Sequence, residues 1–202
     1  MKIGIFGGSF DPIHIGHLLL AEQCLTHANL DRVDFMPAAQ PPHKPDRQLT
    51  PGDARVEMIK LAIAGHSQFR VEPCELERDG ISYTVDTLES LVKSSPDDEH
   101  FLLIGADSLV EFHTWRNPQR ICELATPLIV ARPGSELDLK LLEPYNDDVQ
   151  MKKIQEHAFK SLNVDISSSS IRHAASVGAS FRFQTTRAVE QYILSKGLYQ
   201  QK

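Results

Sequence analysis

The chain has 202 residues, 41% of them hydrophobic and 24% charged, with a formal net charge of −6. That length suits one domain, residues 1–202, with a sizeable core, and the negative charge argues against wrapping a nucleic-acid backbone. No apolar run is long enough to span a membrane, and Gly7, Gly8, Asp11 and Pro12 break any signal-peptide core almost at once.

In chain order, residues 2–6 read as a short buried strand, residues 7–12 as a tight Gly-rich turn, and a helix follows over 15–28. Further strand-like runs are 32–36, 69–71, 101–104, 128–131 and 162–165. Between them a second helix starts at Thr50-Pro51, with Thr50 as N-cap and Val56, Ile59, Ala62 and Ile63 as its apolar stripe. A third helix covers 84–93, a fourth starts at Asn117-Pro118, and late helices cover 169–176 and 186–195. Residues 38–47 are too Pro-rich for regular structure and read as an active-site loop or a plain connection. Residues 135–160 have only weak helical periodicity. Strand–helix alternation predicts an α/β fold with a mostly parallel, doubly wound sheet and helices on both faces. Cys24, Cys74 and Cys122 form no CxxC pair and read as reduced thiols of a cytoplasmic protein.

A strand, a glycine turn and a helix start gather backbone N–H groups and partial positive charge at one point, which suits phosphate. His14 and His17 are three residues apart, so both rings can face one side of the helix and donate to phosphate oxygens. The alternatives are that His14 caps the turn and His17 packs, or that the pair binds a metal, for which no third ligand is evident. Near the far end, Ile166-Ser167-Ser168-Ser169-Ser170-Ile171-Arg172 places hydroxyls at a helix start and a guanidinium about one turn later. A Ser run before a helix can also be only an N-cap. The candidate residues all follow strands, where open α/β sheets bind ligands.

The run Gly7-Gly8-Ser9-Phe10-Asp11-Pro12-Ile13-His14-Ile15-Gly16-His17 resembles the signature of the nucleotidylyltransferases that carry an HxGH motif. Within that superfamily the chain is similar to the bacterial nicotinate-nucleotide adenylyltransferases, over most of its length. HIGH also occurs in class I aminoacyl-tRNA synthetases, but this chain has no KMSKS-like loop and is short for one. The serine run resembles the family's ISSTxxR-type motif, with Ser169 or Ser170 where Thr is common, so its register is open by one residue. The resemblance implies a Rossmann-like fold. It implies that ATP meets Gly7, Gly8, Ser9, Phe10, His14, His17, Ser168, Ser169 and Arg172, with Lys44 on the phosphates.

Ile81-Ser82-Tyr83-Thr84-Val85-Asp86-Thr87-Leu88 resembles the family segment whose first threonine holds the nicotinate carboxylate, which maps to Thr84 beside Tyr83; a plain helix start is the alternative. Gly105-Ala106-Asp107 is similar to the family's strand-end G-x-D, where Asp107 would meet a ribose hydroxyl or merely cap a helix. Trp115, the only tryptophan, matches the residue that stacks on the pyridine, with Arg116 next to it. Polar neighbours argue for its partial exposure. Arg132 lies at a strand end, where it would meet phosphate or the adenine side or pair with a surface carboxylate.

The implied chemistry is in-line attack by the 5′-phosphate of nicotinate mononucleotide on the α-phosphorus of ATP, with Mg²⁺ arriving on the ATP and no strong general base needed. His14, His17, Lys44 and Arg172 would carry it. The rival readings are another adenylyltransferase, acting on nicotinamide mononucleotide or phosphopantetheine, and a non-catalytic nucleotide sensor on the same fold. Preference for acid over amide and the oligomeric state are not encoded legibly.

Overall fold

The computed structural model describes residues 1–40, 48–78, 80–131 and 137–200. Among these, six strands form one sheet: β1 (Lys2–Gly8), β2 (Arg32–Pro37), β3 (Phe69–Val71), β4 (Glu99–Gly105), β5 (Thr126–Ala131) and β6 (Phe159–Lys160). Their spatial order is β3-β2-β1-β4-β5-β6, and every adjacent pair is parallel. This is the Rossmann order, which reverses direction between β1 and β4.

Side-chain alternation sorts the strands' residues onto two buried faces. Phe101 and Leu103 of β4 point to one face, where they join Phe6, Val33, Phe35 and Val130. That face is covered by α1 (Ile15–His27), α2 (Gly52–Ile63), α7 (Ser168–Ser176) and α8 (Arg187–Lys196). Leu102 and Ile104 point the other way, with Ile3, Ile5 and Ile129. There α3 (Thr84–Ser94), α4 (Ala106–Leu109), α5 (Pro118–Leu124) and α6 (Asp148–His157) close the layer. Strands buried on both sides are near-continuous apolar runs, which makes them readable from sequence.

Three stretches depart from the sequence reading. The sixth strand is Phe159–Lys160, not 162–165. It pairs only with the end of β5, Val130 to Phe159 and Ala131 to Lys160, and Leu162 beyond it is largely exposed. The apolar residues of 162–165 belong to a cleft wall rather than to the core. The weakly periodic stretch contains a 3₁₀ segment, Leu139–Tyr145, and then α6, whose Met151 and Ile154 are buried. Helix α2 starts one residue late: Pro51 occupies the N-cap, its carbonyl accepting from Arg55 N–H, and Thr50 stands outside.

The cysteines are all free. Burial pushes the Cys24 thiol up to about 12, which makes it inert at neutral pH. Among the described residues no helix is long and apolar enough to cross a membrane.

Phe35 is fully buried, and its ring lies 5.5 Å from Phe6, 5.7 Å from Phe10 and 5.3 Å from Phe69. Phe35→Ala should therefore cost about 3–5 kcal/mol of stability in urea unfolding, as for other large buried aromatics. A change within about 0.5 kcal/mol would contradict this packing.

Candidate active site

Strand β1 ends in a turn that must reverse the chain before α1. Phe10 takes the left-handed conformation there, with φ of 45°, a strained choice for a bulky residue. Its buried ring is held edge-on against Phe6 at 5.4 Å and against His17 at 5.1 Å. Packing thus fixes the turn where a glycine would have been conformationally easier.

The carbonyls of this turn are taken one after another by donors from elsewhere in the chain. Gly8 O accepts from Ala38 N–H at 2.9 Å. Ser9 O accepts from an Arg55 guanidinium N–H at 2.9 Å, and Asp11 O from Arg172 at 2.6 Å. Pro12 O accepts from the Ser168 hydroxyl at 2.8 Å, and Ile13 O from the Thr185 hydroxyl at 2.8 Å. In a trans peptide the following N–H points opposite to the carbonyl. The amides of Phe10 and Ile13 therefore face away from Arg55 and Ser168.

His14 is the N-cap of α1 and His17 lies in its first turn. Their rings stack at 3.7 Å with 25° between planes. His17 Nδ1 accepts from the His14 backbone N–H at 3.2 Å, which leaves Nε2 of a neutral ring to carry the proton. Gly16 makes room for the pair, since a Cβ there would lie 3.1 Å from His14 Nδ1 and Cε1. Capping, packing and a pair of cleft-lining ring edges are thus compatible in one motif.

A cleft of about 270 Å³ opens at the carboxyl ends of β1 and β4, where the strand order reverses. His14, His17, Gly105, Asp107 and Ser168 all line it. Gly105 and Asp107 are exposed, at the end of β4 and the start of α4. Ser167 is the N-cap of α7 and accepts from Ser170 N–H at 3.1 Å. Ser169 accepts from Arg172 at 3.1 Å. Among the described contacts of the run, the Ser168 hydroxyl is the one that ties α7 to the turn.

Tyr83, Thr84, Trp115 and Arg116 do not line that cleft; they form a second group. Tyr83 is the N-cap of α3, and its side chain makes no capping hydrogen bond. Ser82 is turned away, its hydroxyl accepting from Ala39 N–H at 3.0 Å. Arg116 lies 4.7 Å over the Tyr83 ring and bonds Asp86 at 3.2 Å. Trp115 is half-buried, tilted on Phe112 at 5.2 Å. The group is anchored beside β1, because Ser82 N–H donates to Gln40 O, two residues past Ala38. Lys44 and Arg132 lie outside the described residues.

Sequence reasoning passes over Arg55, Thr185 and Tyr199. Tyr199 OH donates to Asp11 Oδ1 at 2.7 Å, and burial pushes its own pKa up. One signal is available for Arg55: it stands on the buried stripe of α2 with Met58, Ile59 and Ile63, at spacings where a charge is out of place.

A larger cavity, about 370 Å³, opens at the opposite, amino end of the sheet. Part of its charged lining is already engaged, Asp98 with the N-terminal ammonium and Glu99 with Lys153. It has no helix start with hydroxyls and no imidazole pair, so the smaller cleft is the candidate site.

A family model described as Cytidylyltransferase-like matches residues 5–174. A probable nicotinate-nucleotide adenylyltransferase of Thermus thermophilus is 45% identical over 199 residues, spanning 98% of this chain and all of its own length. One from Rhodopirellula baltica is 37% identical over 198 residues, spanning 98% of this chain and 92% of its own. The solved nicotinic acid mononucleotide adenylyltransferase of Plasmodium falciparum, complexed with NaAD, superposes with a TM-score of 0.74 at 19% identity. It covers 98% of this chain and 97% of its own, a likeness of fold.

Arg172→Lys keeps a charge near the turn but loses the planar fork that reaches both Asp11 O and Ser169. Calorimetric titration with inorganic triphosphate should show about tenfold weaker binding, roughly the ~1.4 kcal/mol of one charge-assisted hydrogen bond. Equal affinity would detach Arg172 from the anion site.

Proposed function

The chain belongs to the cytidylyltransferase-like family, among its nicotinate-nucleotide adenylyltransferases, and we propose that it joins ATP and nicotinate mononucleotide to give deamido-NAD and pyrophosphate. The observation that carries this reading is the stacked imidazole pair facing the start of α7 across the switch-point cleft. A nucleotidyl transfer needs positioning and charge stabilisation more than it needs a base, because the attacking phosphate is already ionised at neutral pH.

An oxygen of the mononucleotide 5′-phosphate attacks the α-phosphorus in line. The bond from that phosphorus to the α,β-bridging oxygen breaks, and pyrophosphate leaves with the electron pair. His14 and His17 hold oxygens of the reacting phosphate through ring N–H groups. Ser168, Ser169 and Arg172 hold the β,γ-phosphates at the start of α7, where the helix dipole favours anions. Gly7, Gly8, Ser9 and Phe10 form the floor, Asp107 meets a ribose hydroxyl beside Gly105, and Lys44 and Arg132 add cations to the phosphates. Thr84 and Tyr83 receive the nicotinate carboxylate at the start of α3, while Trp115 and Arg116 flank the pyridine.

The donors around the cleft are imidazole, hydroxyl and guanidinium, a set suited to phosphate oxygens. Among the described residues no three His, Cys, Asp or Glu side chains cluster to hold an ion. Mg²⁺ carried on the ATP phosphates would supply charge neutralisation there. Both buried faces rest on one sheet, which supports reading residues 1–202 as a single nucleotidylyltransferase domain, and the three free thiols suit the cytoplasm.

Pyrophosphate release should be assayed with ATP and, in turn, nicotinate mononucleotide, its amide and phosphopantetheine. The acid should give the highest kcat/KM and yield deamido-NAD. Nucleotide binding without release would favour a sensor instead. His17→Ala should lose about 10²–10³ in kcat per folded molecule, the usual loss for one transition-state donor, beyond any loss of stability from the ring's contacts with Phe6 and Phe10. Unchanged turnover would remove His17 from the chemistry.

A further inference from the structure

Arg55 is among the most deeply buried large side chains of the molecule, 2% exposed. Its fork is spent on backbone carbonyls. Its Nε donates to Thr50 O at 2.9 Å, and one terminal nitrogen donates to both Ser9 O at 2.9 Å and Ala38 O at 2.8 Å. Ser9 belongs to the turn, Ala38 follows β2, and Thr50 precedes α2. Burial pulls the guanidinium pKa down, and the charge of Asp11 opposes that shift. A buried cation held by neutral carbonyls is costly to desolvate, so three segments have been arranged around it.

We infer that Arg55 is a positioning residue for the transfer reaction, acting by holding the Ser9 carbonyl inward so that the Phe10 amide is presented to the nucleotide phosphates. Arg55 itself touches no substrate. A lysine cannot reproduce the effect, since a single ammonium cannot span three carbonyls set around a planar fork. The same clamp couples the turn to the ends of β2 and the start of α2, and through Ala39 N–H and Ser82 to the start of α3. Its kinetic consequence rests on the adenylyl-transfer reading; its effect on the turn does not.

The test uses the full chain with Arg55→Lys and with Arg55→Gln, which keeps an amide donor and buries no charge. In either variant the KM for ATP should rise about tenfold, and by more than that for nicotinate mononucleotide, whose site the clamp reaches only through Ala39 and Ser82. A merely structural residue would lower the active fraction and move neither constant. Hydrogen exchange followed by NMR should accelerate at the amides of residues 8–11, 13 and 14 and not in β4 or β5. In the wild-type protein the Arg55 Nε–H signal should exchange slowly and shift when ATP is added. Unchanged KM for ATP, exchange that accelerates everywhere alike, or an Nε–H signal indifferent to ATP would each overturn the assignment. A wild-type protein that makes no dinucleotide would fail the functional reading, while the exchange measurement would still decide the role of Arg55 in the turn.

Discussion

The structure depends on one constraint: a short turn between β1 and α1 must find donors for its carbonyls outside itself. A buried carbonyl without a donor costs about 1–3 kcal/mol, and this turn has several in succession. Those of residues 8, 9, 11, 12 and 13 accept from side-chain or backbone groups elsewhere in the chain. Arg55 comes from α2, Arg172 and Ser168 from α7, and Thr185 from just before α8. The helices that cover one face of the sheet therefore do more than bury apolar surface. They fix, from behind, the conformation that the glycines alone would leave free.

That arrangement explains why the imidazole pair lies where it does. The turn delivers the chain to His14 as the N-cap, and the first helical turn brings His17 back over it. The His17 ring then closes the aromatic cluster of Phe6 and Phe10. Its Nδ1 is held by backbone, so ring orientation and proton position are set together. Rigid donors of this kind need little reorganisation when charge develops on a phosphate.

Local signals make much of this legible. The strand, the turn and both histidines lie between Lys2 and His17, so their proximity needs no tertiary information. Asn117-Pro118 and Thr186 announce α5 and α8 by ordinary capping chemistry. Helix α6 escapes the periodicity reading although Asp147 and Gln150 form a capping box at its start. Leu162 and Val164 mislead because an alternating apolar pair at a cleft rim resembles a strand. Arg55 is illegible for a different reason. Its partners at residues 9, 38 and 50 are backbone carbonyls, which every residue has, so no side-chain pattern marks them. The relation of Tyr83 and Trp115 to the histidines is likewise a matter of topology, set by the β1 and β2 ends and not by spacing.

A net charge of −6 is a poor match for a triphosphate only if distance is ignored. Glu99 opens β4 and Gly105 closes it, so the acidic amino rim lies roughly 20 Å from the cleft at about 3.3 Å per residue. That exceeds two Debye lengths at about 8 Å each in physiological salt, and those carboxylates are largely screened. A cation within about 4 Å of a phosphate, at an effective dielectric near 20, contributes on the order of 4 kcal/mol before desolvation. One guanidinium placed like Arg172, with a helix start beside it, therefore outweighs the remote surplus of carboxylates.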